Sequence, residues 1–198
     1  MKAKAYYPLF ADLNSRRCVV IGGGLVAQRK VTTLLRYGAK ITVVSPSVTR
    51  RLAAYAKQGR VRYAARRFRP ADLRGAWLVY ASTDDQRINE QVFREATRRR
   101  ILTNVVDQKP LCSFIAPAIV QRGPLTVAVS TGGASPSLAK KVRSDIGRAL
   151  GPSYADRKRY FGELVEGRVF GLMRAGKSRE ARRVALRVLA RHAVKNGH

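Results

Sequence analysis

The sequence predicts an α/β fold built on a parallel, doubly wound sheet. Short apolar runs of the kind that form buried strands alternate with amphipathic stretches of helical periodicity over residues 18–106. A glycine triplet directly follows the first of these runs. Hydrophobic residues make up 45% of the 198 residues, which is enough to form a folded core and argues against a disordered chain.

The first predicted unit consists of a strand, a glycine turn, a helix and a second strand. Residues 18–21 form an unbroken apolar run, and residues 41–44 form a second one. Between them, residues 28–37 carry apolar side chains at helical spacing, and Gly38 is a typical helix C-cap. This order predicts a βαβ unit with two parallel strands.

The turn after the first strand carries the pattern Gly22-x-Gly24-x-x-Ala27, which is typical of Rossmann-type dinucleotide sites. Gly22 permits a tight turn, Gly24 lets a pyrophosphate approach the backbone, and Ala27 allows the helix to pack closely on the sheet. The positive end of the helix dipole would bind the phosphates. In this context the pattern predicts a dinucleotide site, and a purely structural turn is the alternative.

The choice between NAD and NADP stays open from the residues alone. NAD sites usually have an Asp or Glu after the second strand for the ribose hydroxyls. Here Ser45 and Ser47, or backbone groups, would have to bind the ribose. Arg50 and Arg51 follow and could bind an NADP 2′-phosphate, although exposed helix residues are an equally good interpretation.

The α/β alternation continues through three more strands. The predicted elements are a helix over 49–57, a strand over 61–63, a strand over 76–81, a helix over 88–100 and a strand over 101–106. Ligands of doubly wound sheets bind beyond the carboxyl ends of the strands. We therefore expect the glycine turn, residues 45–47, residues 82–83 and residues 106–107 to converge on one crevice.

After residue 113 the pattern changes from α/β to a hairpin followed by helices. Residues 114–120 and 125–130 read as two extended arms, and Ser135 and Pro136 as the start of a helix that ends at residue 150. Two more helices are predicted over 154–174 and 178–194. The sequence contains no apolar run of about 18 residues, so it predicts no membrane-spanning helix. Residues 1–17 lack the apolar stretch of a signal peptide.

The charge is strongly basic, with 40 Lys and Arg against 12 Asp and Glu and a formal net charge of +28. Residues 1–113, 114–150 and 151–198 carry net charges of +16, +4 and +8, so no basic tail exists. A solvated basic surface explains such a spread. Attraction to a polyanionic small-molecule substrate and binding to nucleic acid are the two alternatives.

Asp107 is the carboxylate best placed for chemistry. It follows the fifth predicted strand, where it would face the nicotinamide end of the crevice and could exchange a proton beside a hydride transfer. A turn or cap residue is the structural alternative. Asp84 and Asp85 are interpreted as turn and helix-start residues.

No other group marks a metal site or an activated nucleophile. Cys18 and Cys112 are far apart in sequence and read as buried thiols, which favours a reducing cytoplasm. His192 and His198 have no neighbours at metal-ligand spacing, so a metal site stays unassigned. Ser130 belongs to a glycine-flanked loop that could bind an acidic ligand or simply turn the chain.

Six short motifs follow one another over residues 5–145. They are YPLF at 7–10, VIGGGLVAQRK at 20–30, ASTDD at 81–85 with Asn89, NVVD at 104–107, SFIAPA at 113–118 and VSTGGASP at 129–136. With these motifs the chain resembles the precorrin-2 dehydrogenases, including the dehydrogenase part of siroheme synthase. The helices after residue 154 match this family only in general character.

The resemblance implies NAD-dependent oxidation of precorrin-2 to sirohydrochlorin, on the route to sirohaem and related tetrapyrroles. It places the catalytic aspartate on Asp107, as the group that takes a proton while a hydride leaves for NAD. The positions implied to contact NAD are Gly22, Gly23, Gly24, Leu25, Val26, Pro46, Ser47, Ser82 and Thr83.

The resemblance also implies a domain order and a homodimer. Residues 1–113 would form the NAD-binding Rossmann domain, residues 114–150 a dimerisation segment of hairpin and helix, and residues 151–198 a small helical domain covering the substrate cleft. Some family members also insert a metal ion, so a bifunctional dehydrogenase and ferrochelatase is one alternative. An NAD-sensing regulatory module and a basic nucleic-acid-binding protein are alternatives of other classes.

Overall fold

The computed structural model describes residues 5–123, 125–150 and 168–184. The chain divides into two compact units between residues 116 and 117. The three-segment domain boundaries expected from the sequence stay predictions. No described helix is long and apolar enough to cross a membrane.

The first unit contains a five-stranded parallel sheet, which confirms the predicted fold class. Its strands are β1 (Arg17–Ile21), β2 (Lys40–Val44), β3 (Arg62–Ala64), β4 (Leu78–Ala81) and β5 (Leu102–Val105). The strand order is β3-β2-β1-β4-β5, so the chain reverses its direction of winding between β1 and β4. Ligands of doubly wound sheets bind at such a switch point. The carboxyl ends are level, because Ile21 lies opposite both Val44 and Ala81.

Three helices connect these strands. They are α1 (Leu25–Arg36), α2 (Arg50–Lys57) and α3 (Gln86–Arg98), and short 3-10 turns occupy Pro70–Leu73 and Lys109–Leu111. Thr49 and Asp85 cap α2 and α3 with their side-chain oxygens, which confirms the interpretation of Asp85 as a helix-start residue. The predicted start of α1 at residue 28 was wrong, since the helix begins at Leu25, directly after the glycine turn.

The sheet is buried on both faces. Val20 and neighbouring side chains pack against α1 and α2, with Val31 and Leu52 among the buried contacts. Val19 and Val79 point to the other face, where they pack with Val92 of α3. Successive strand residues alternate between faces, so an uninterrupted apolar run such as that of β1 fits a strand covered on both sides.

The second unit contains an antiparallel hairpin and helices. The hairpin consists of β6 (Ala118–Arg122) and β7 (Leu125–Val129), and it precedes α4 (Pro136–Leu150) and α5 (Arg168–Arg174). Ser135 caps α4 through a bond from the Leu138 N–H at 3.2 Å, as predicted. Residues 178–184 are helical, and the remainder of the two predicted C-terminal helices lies outside the described residues.

The first hairpin arm begins four residues later than the sequence predicted. Phe114 packs within the first unit. Its carbonyl accepts a hydrogen bond from Asn104 Nδ2 at 3.0 Å, and its ring packs edge-on against Tyr80. Pro117 lacks the N–H that a continued ladder would need. The strand therefore starts at Ala118 and extends through Gln121 and Arg122.

Asp72 is a buried carboxylate that anchors the loop between β3 and β4. It accepts hydrogen bonds from both guanidinium nitrogens of Arg66, at 2.9 and 2.6 Å, and from the Arg69 N–H at 2.8 Å. Arg17 of β1 donates to the Asp72 carbonyl at 3.0 Å and ties the loop to the sheet. The Arg66 guanidinium holds the pKa of the Asp72 carboxyl below its usual value, and burial opposes this effect.

We expect Asp72→Asn to lower the free energy of unfolding by about 2 kcal/mol, because it removes a charge-assisted pair from a buried site. The folded-state pKa lies below the unfolded value, so this stability is present above about pH 4 and is lost as the pH falls through the folded-state pKa. Urea titrations at pH 7 and pH 3 measure both effects. The exposed carboxylate Asp84 gives the control variant Asp84→Asn, and an equal loss in the two variants would contradict the prediction.

Candidate functional site

The turn between β1 and α1 is shaped by Gly22. Its φ of +116° lies in a region that favours glycine, and its N–H donates to the Val44 carbonyl at 2.9 Å. A Cβ at this position would overlap the carbonyl of Ser82. Ser82 in turn donates its N–H and its hydroxyl to the Ile21 carbonyl, at 2.8 and 3.1 Å. The turn therefore fits closely between the ends of β2 and β4.

Gly23 makes the closest approach to the end of β2. A Cβ there would overlap the Ser47 carbonyl, and the Gly23 carbonyl accepts a hydrogen bond from the Thr49 N–H at 3.0 Å. Thr49 also donates its hydroxyl to Gln28 of α1 at 2.7 Å. The sequence pattern does not predict this packing role for the middle glycine. Its neighbour Ser47 is 24 residues away in the sequence and becomes adjacent to Gly23 only in the folded chain.

Gly24 is the open position of the turn. It is the N-cap of α1, it is exposed, and a Cβ there would have no heavy atom within 4 Å. No side chain caps the first N–H groups of α1, and Leu25 beside them is 69% exposed. A pyrophosphate can therefore reach the backbone at Gly24 and bind the free N–H groups at the positive end of the helix. These residues fit a dinucleotide.

The ends of β2 and β4 flank this open position. Ser45 is buried, and Pro46 and Ser47 are exposed beside it. Thr83 donates its hydroxyl to Asn89 Oδ1 at 2.9 Å, and Asn89 donates back to the Thr83 carbonyl at 2.9 Å. This pair fixes the backbone after β4. Val26 is half-buried on the first turn of α1.

The two arginines after β2, Arg50 and Arg51, differ in the contacts of their side chains. Arg51 donates from Nε to the Tyr55 hydroxyl at 2.9 Å, so its guanidinium is held along α2. Arg50 is exposed at the first position of α2. The end of β2 thus offers serine hydroxyls and backbone groups for a ribose.

Asp107 lies at the same edge of the sheet, two residues after β5. The Val106 N–H donates to the Ala81 carbonyl at 2.9 Å, and Ala81 lies beside Ile21 in the register. Because neighbouring strands are about 4.8 Å apart, the ends of β1 and β5 are separated by about 10 Å. Asp107 is exposed with a φ of +59°, a left-handed conformation that Asp and Asn tolerate better than other side chains.

Lys30 of α1 interacts electrostatically with this carboxylate. The Lys30 ammonium is 4.9 Å from the centre of the Tyr80 ring, and Phe114 meets the same ring edge-on with centroids 5.4 Å apart. Burial lowers the pKa of the Lys30 ammonium most, Arg29 lowers it further, and Asp107 and Cys112 raise it. Tyr80 and Lys30 were not singled out from the sequence, because only the fold brings α1, β4 and β5 together here.

The two cysteines are buried free thiols. Burial raises the pKa of Cys18 to about 11, so this thiol stays protonated at neutral pH. Cys112 donates to the carbonyls of Val105 and Gln108 at 3.2 and 3.4 Å. Among the residues that the structure describes, no group of three His, Cys, Asp or Glu side chains could hold a metal ion.

The serine-rich loop before α4 has its hydrogen bonds within itself. Ser130 Oγ accepts from the Gly132 N–H at 3.1 Å, and Thr131 Oγ1 accepts from the Ser135 N–H at 2.9 Å. These bonds turn the chain and begin α4. The two histidines lie outside the described residues.

Two family models match the chain. One, described as putative NAD(P)-binding, covers residues 9–118, and the other, described as sirohaem biosynthesis protein central, covers residues 122–149. The first spans more than half of the chain and contains the glycine turn and Asp107. The first unit is therefore an NAD(P)-binding domain.

Curated relatives and a solved structure agree with these models. Siroheme synthase of Methylobacillus flagellatus is 46% identical over 159 residues, covering 80% of this chain and 34% of that protein. Siroheme synthase 1 of Cronobacter sakazakii is 41% identical and covers 90% of this chain and 42% of that protein. The chain thus spans between a third and a half of the length of these relatives.

One solved structure that resembles this chain is that of SirC, precorrin-2 dehydrogenase. It superimposes with a TM-score of 0.70 at 30% sequence identity, covering 80% of this chain and 78% of SirC. The match therefore extends over most of both chains. The chain belongs to the family of NAD(P)-binding proteins that includes siroheme synthases and precorrin-2 dehydrogenases.

Proposed function

We propose that the chain oxidises precorrin-2 to sirohydrochlorin with NAD as the oxidant. The observation that carries the proposal is the placement of an exposed carboxylate, Asp107, at the sheet edge that also carries the open glycine turn. A dinucleotide and a proton-accepting group can then act on one substrate in the same crevice. The name of the relative SirC supports precorrin-2 as that substrate.

The dinucleotide is held by three strand ends. Gly22 and Gly23 shape the turn, while Gly24, Leu25 and Val26 present its open side and the first N–H groups of α1. Pro46 and Ser47 flank the ribose side, and Ser82 and Thr83 flank the side toward β5. When bound, NAD supplies a hydride acceptor.

Asp107 is the general base of the proposed reaction. Oxidation of precorrin-2 removes a hydride and a proton from the macrocycle, and it leaves sirohydrochlorin and NADH. The carboxylate of Asp107 accepts the proton as the C–H bonding electrons move into the new double bond. Its exposure at the end of β5 leaves it accessible to a substrate as large as a tetrapyrrole.

NAD rather than NADP is the proposed cofactor. Arg51 is held by Tyr55, which leaves Arg50 as the one nearby arginine of α2 without a described contact. The exposed serine hydroxyl and the backbone groups at the end of β2 can bind a ribose without a 2′-phosphate. We place the reaction in the cytoplasm, because the two free buried thiols fit a reducing compartment.

A homodimer formed through residues 114–150 is part of the proposal, with residues 1–113 as the NAD-binding segment and residues 151–198 as a small helical domain. The family model for the central region covers most of the proposed dimerisation segment, at residues 122–149. Sedimentation equilibrium of the full chain measures its mass. A monomer across the micromolar range would contradict the dimer.

The activity is tested by anaerobic incubation with precorrin-2 and NAD, with absorbance recorded for NADH and for sirohydrochlorin. We expect the two products to form in equal amounts. A folded, NAD-binding protein that gives no turnover would overturn the proposal. Adding ferrous ion to sirohydrochlorin in the same assay tests the bifunctional alternative.

A further inference from the structure

The Lys30 side chain is a half-buried cation that forms no ion pair with any described residue. Within the described part of the chain, no hydrogen bond or ion pair reaches its ammonium, and its one assigned contact is the face of the Tyr80 ring at 4.9 Å. Partial burial removes some of the hydration of the ammonium. The aromatic face replaces only part of it.

Lys30 and Asp107 do not form an ion pair. Asp107 is close enough to raise the pKa of the ammonium, yet no ion pair within 4.0 Å forms between them. The Tyr80 ring that faces the ammonium packs edge-on against the Phe114 ring. A ligand anion can therefore contact Lys30 without displacing a protein carboxylate.

We propose that Lys30 binds a carboxylate of the tetrapyrrole and so holds the macrocycle beside Asp107. This inference rests on the proposed function and adds a substrate-binding residue to it. Precorrin-2 carries eight carboxylates, which an acidic base such as Asp107 would repel. A cation next to that base offsets the repulsion where the reacting carbon must approach.

The cofactor pyrophosphate is the other anion that could reach this helix. Lys30 lies six residues after Gly24, which places it about 9 Å farther along α1 than the open turn. The N–H groups at the start of α1 already provide a phosphate site. The carboxylate of the macrocycle is therefore the better partner for Lys30.

The test compares Lys30→Met, Lys30→Arg and Arg36→Met. Arg36 is exposed at the end of α1, so its variant removes the same charge from the same helix away from Asp107. Uroporphyrin III, a stable octacarboxylate, serves as the binding probe by its fluorescence. Calorimetry gives the NAD affinity, and anaerobic kinetics give kcat and KM for precorrin-2.

We expect Lys30→Met to weaken uroporphyrin binding and raise KM about tenfold, with kcat and NAD affinity within twofold of the unmodified protein. Lys30→Arg should restore most of the affinity, and Arg36→Met should behave like the unmodified protein. A merely structural lysine would change the melting temperature without this split between KM and kcat.

The outcomes separate this inference from the proposed function. If the unmodified protein binds uroporphyrin through Lys30 but does not oxidise precorrin-2, the inference holds and the proposed function fails. If precorrin-2 is oxidised and Lys30→Met leaves KM and uroporphyrin affinity unchanged, the inference fails alone. Weaker NAD binding with unchanged uroporphyrin affinity would assign Lys30 to the cofactor and overturn the inference.

Discussion

Replacing Asp107 by asparagine is expected to lower kcat for precorrin-2 oxidation about 10³-fold, because the amide cannot accept the proton that leaves the macrocycle. Asparagine is the informative substitution at this position. The backbone has a φ of +59°, which Asn tolerates, whereas alanine would add backbone strain to the loss of the carboxylate. Single-turnover kinetics under anaerobic conditions measure the chemical step directly.

The control for this variant is Asp12→Asn. Asp12 precedes β1, at the opposite end of the sheet from the crevice, and it makes an exposed hydrogen bond with the Asn14 N–H. Both variants should bind NAD and melt like the unmodified protein. Equal rates for Asp107→Asn and the unmodified protein would remove Asp107 as the base.

Substitutions at two glycines of the triplet are expected to affect two different properties, the stability of the protein and its affinity for NAD. Gly22→Ala is expected to lower the free energy of unfolding by about 3 kcal/mol or more, since the methyl group meets the Ser82 carbonyl at a φ of +116°. Gly24→Ala should leave the stability nearly unchanged, because a methyl group there meets no protein atom. It should instead weaken NAD binding about tenfold, by occupying the space of the pyrophosphate.

Thermal unfolding and calorimetric NAD titrations of both variants check this contrast. Gly59→Ala is a useful reference for Gly22→Ala, because Gly59 has a positive φ of +68° but open space around its Cβ position. It gives the cost of a left-handed backbone without an overlap, which is a lower limit for Gly22 because a φ of +116° lies outside the left-handed helical region. Unchanged NAD affinity in Gly24→Ala would argue that the open turn is only structural.

Three arginines of the first unit are engaged in contacts within the protein. The guanidinium groups of Arg17, Arg51 and Arg66 donate hydrogen bonds to a carbonyl, a hydroxyl and a carboxylate of the protein, respectively. Such contacts tie loops and helices together rather than form a binding face. Most of the other arginines within the described residues are exposed.

The sequence by itself determined the α/β architecture and the place of the glycine turn. Both follow from local patterns, because strand runs, helical spacing and positive-φ glycines depend on neighbours in the chain. The motif order likewise indicated the family and placed Asp107 after β5. The start of α1 was predicted three residues too late. Leu25 and Val26 are not residues that mark a helix start, so from the sequence they could equally belong to the glycine turn.

Only the tertiary structure decided which side chains share the crevice. Gly23 meets Ser47, Asn89 holds Thr83, and Lys30 lies over Tyr80 near Asp107 because the strand order β2-β1-β4-β5 places distant segments side by side. The late start of β6 has the same origin, since the contact of Phe114 with Tyr80 spans 34 residues. Contacts between residues so far apart leave no periodic trace in a single sequence, so packing alone assigns them.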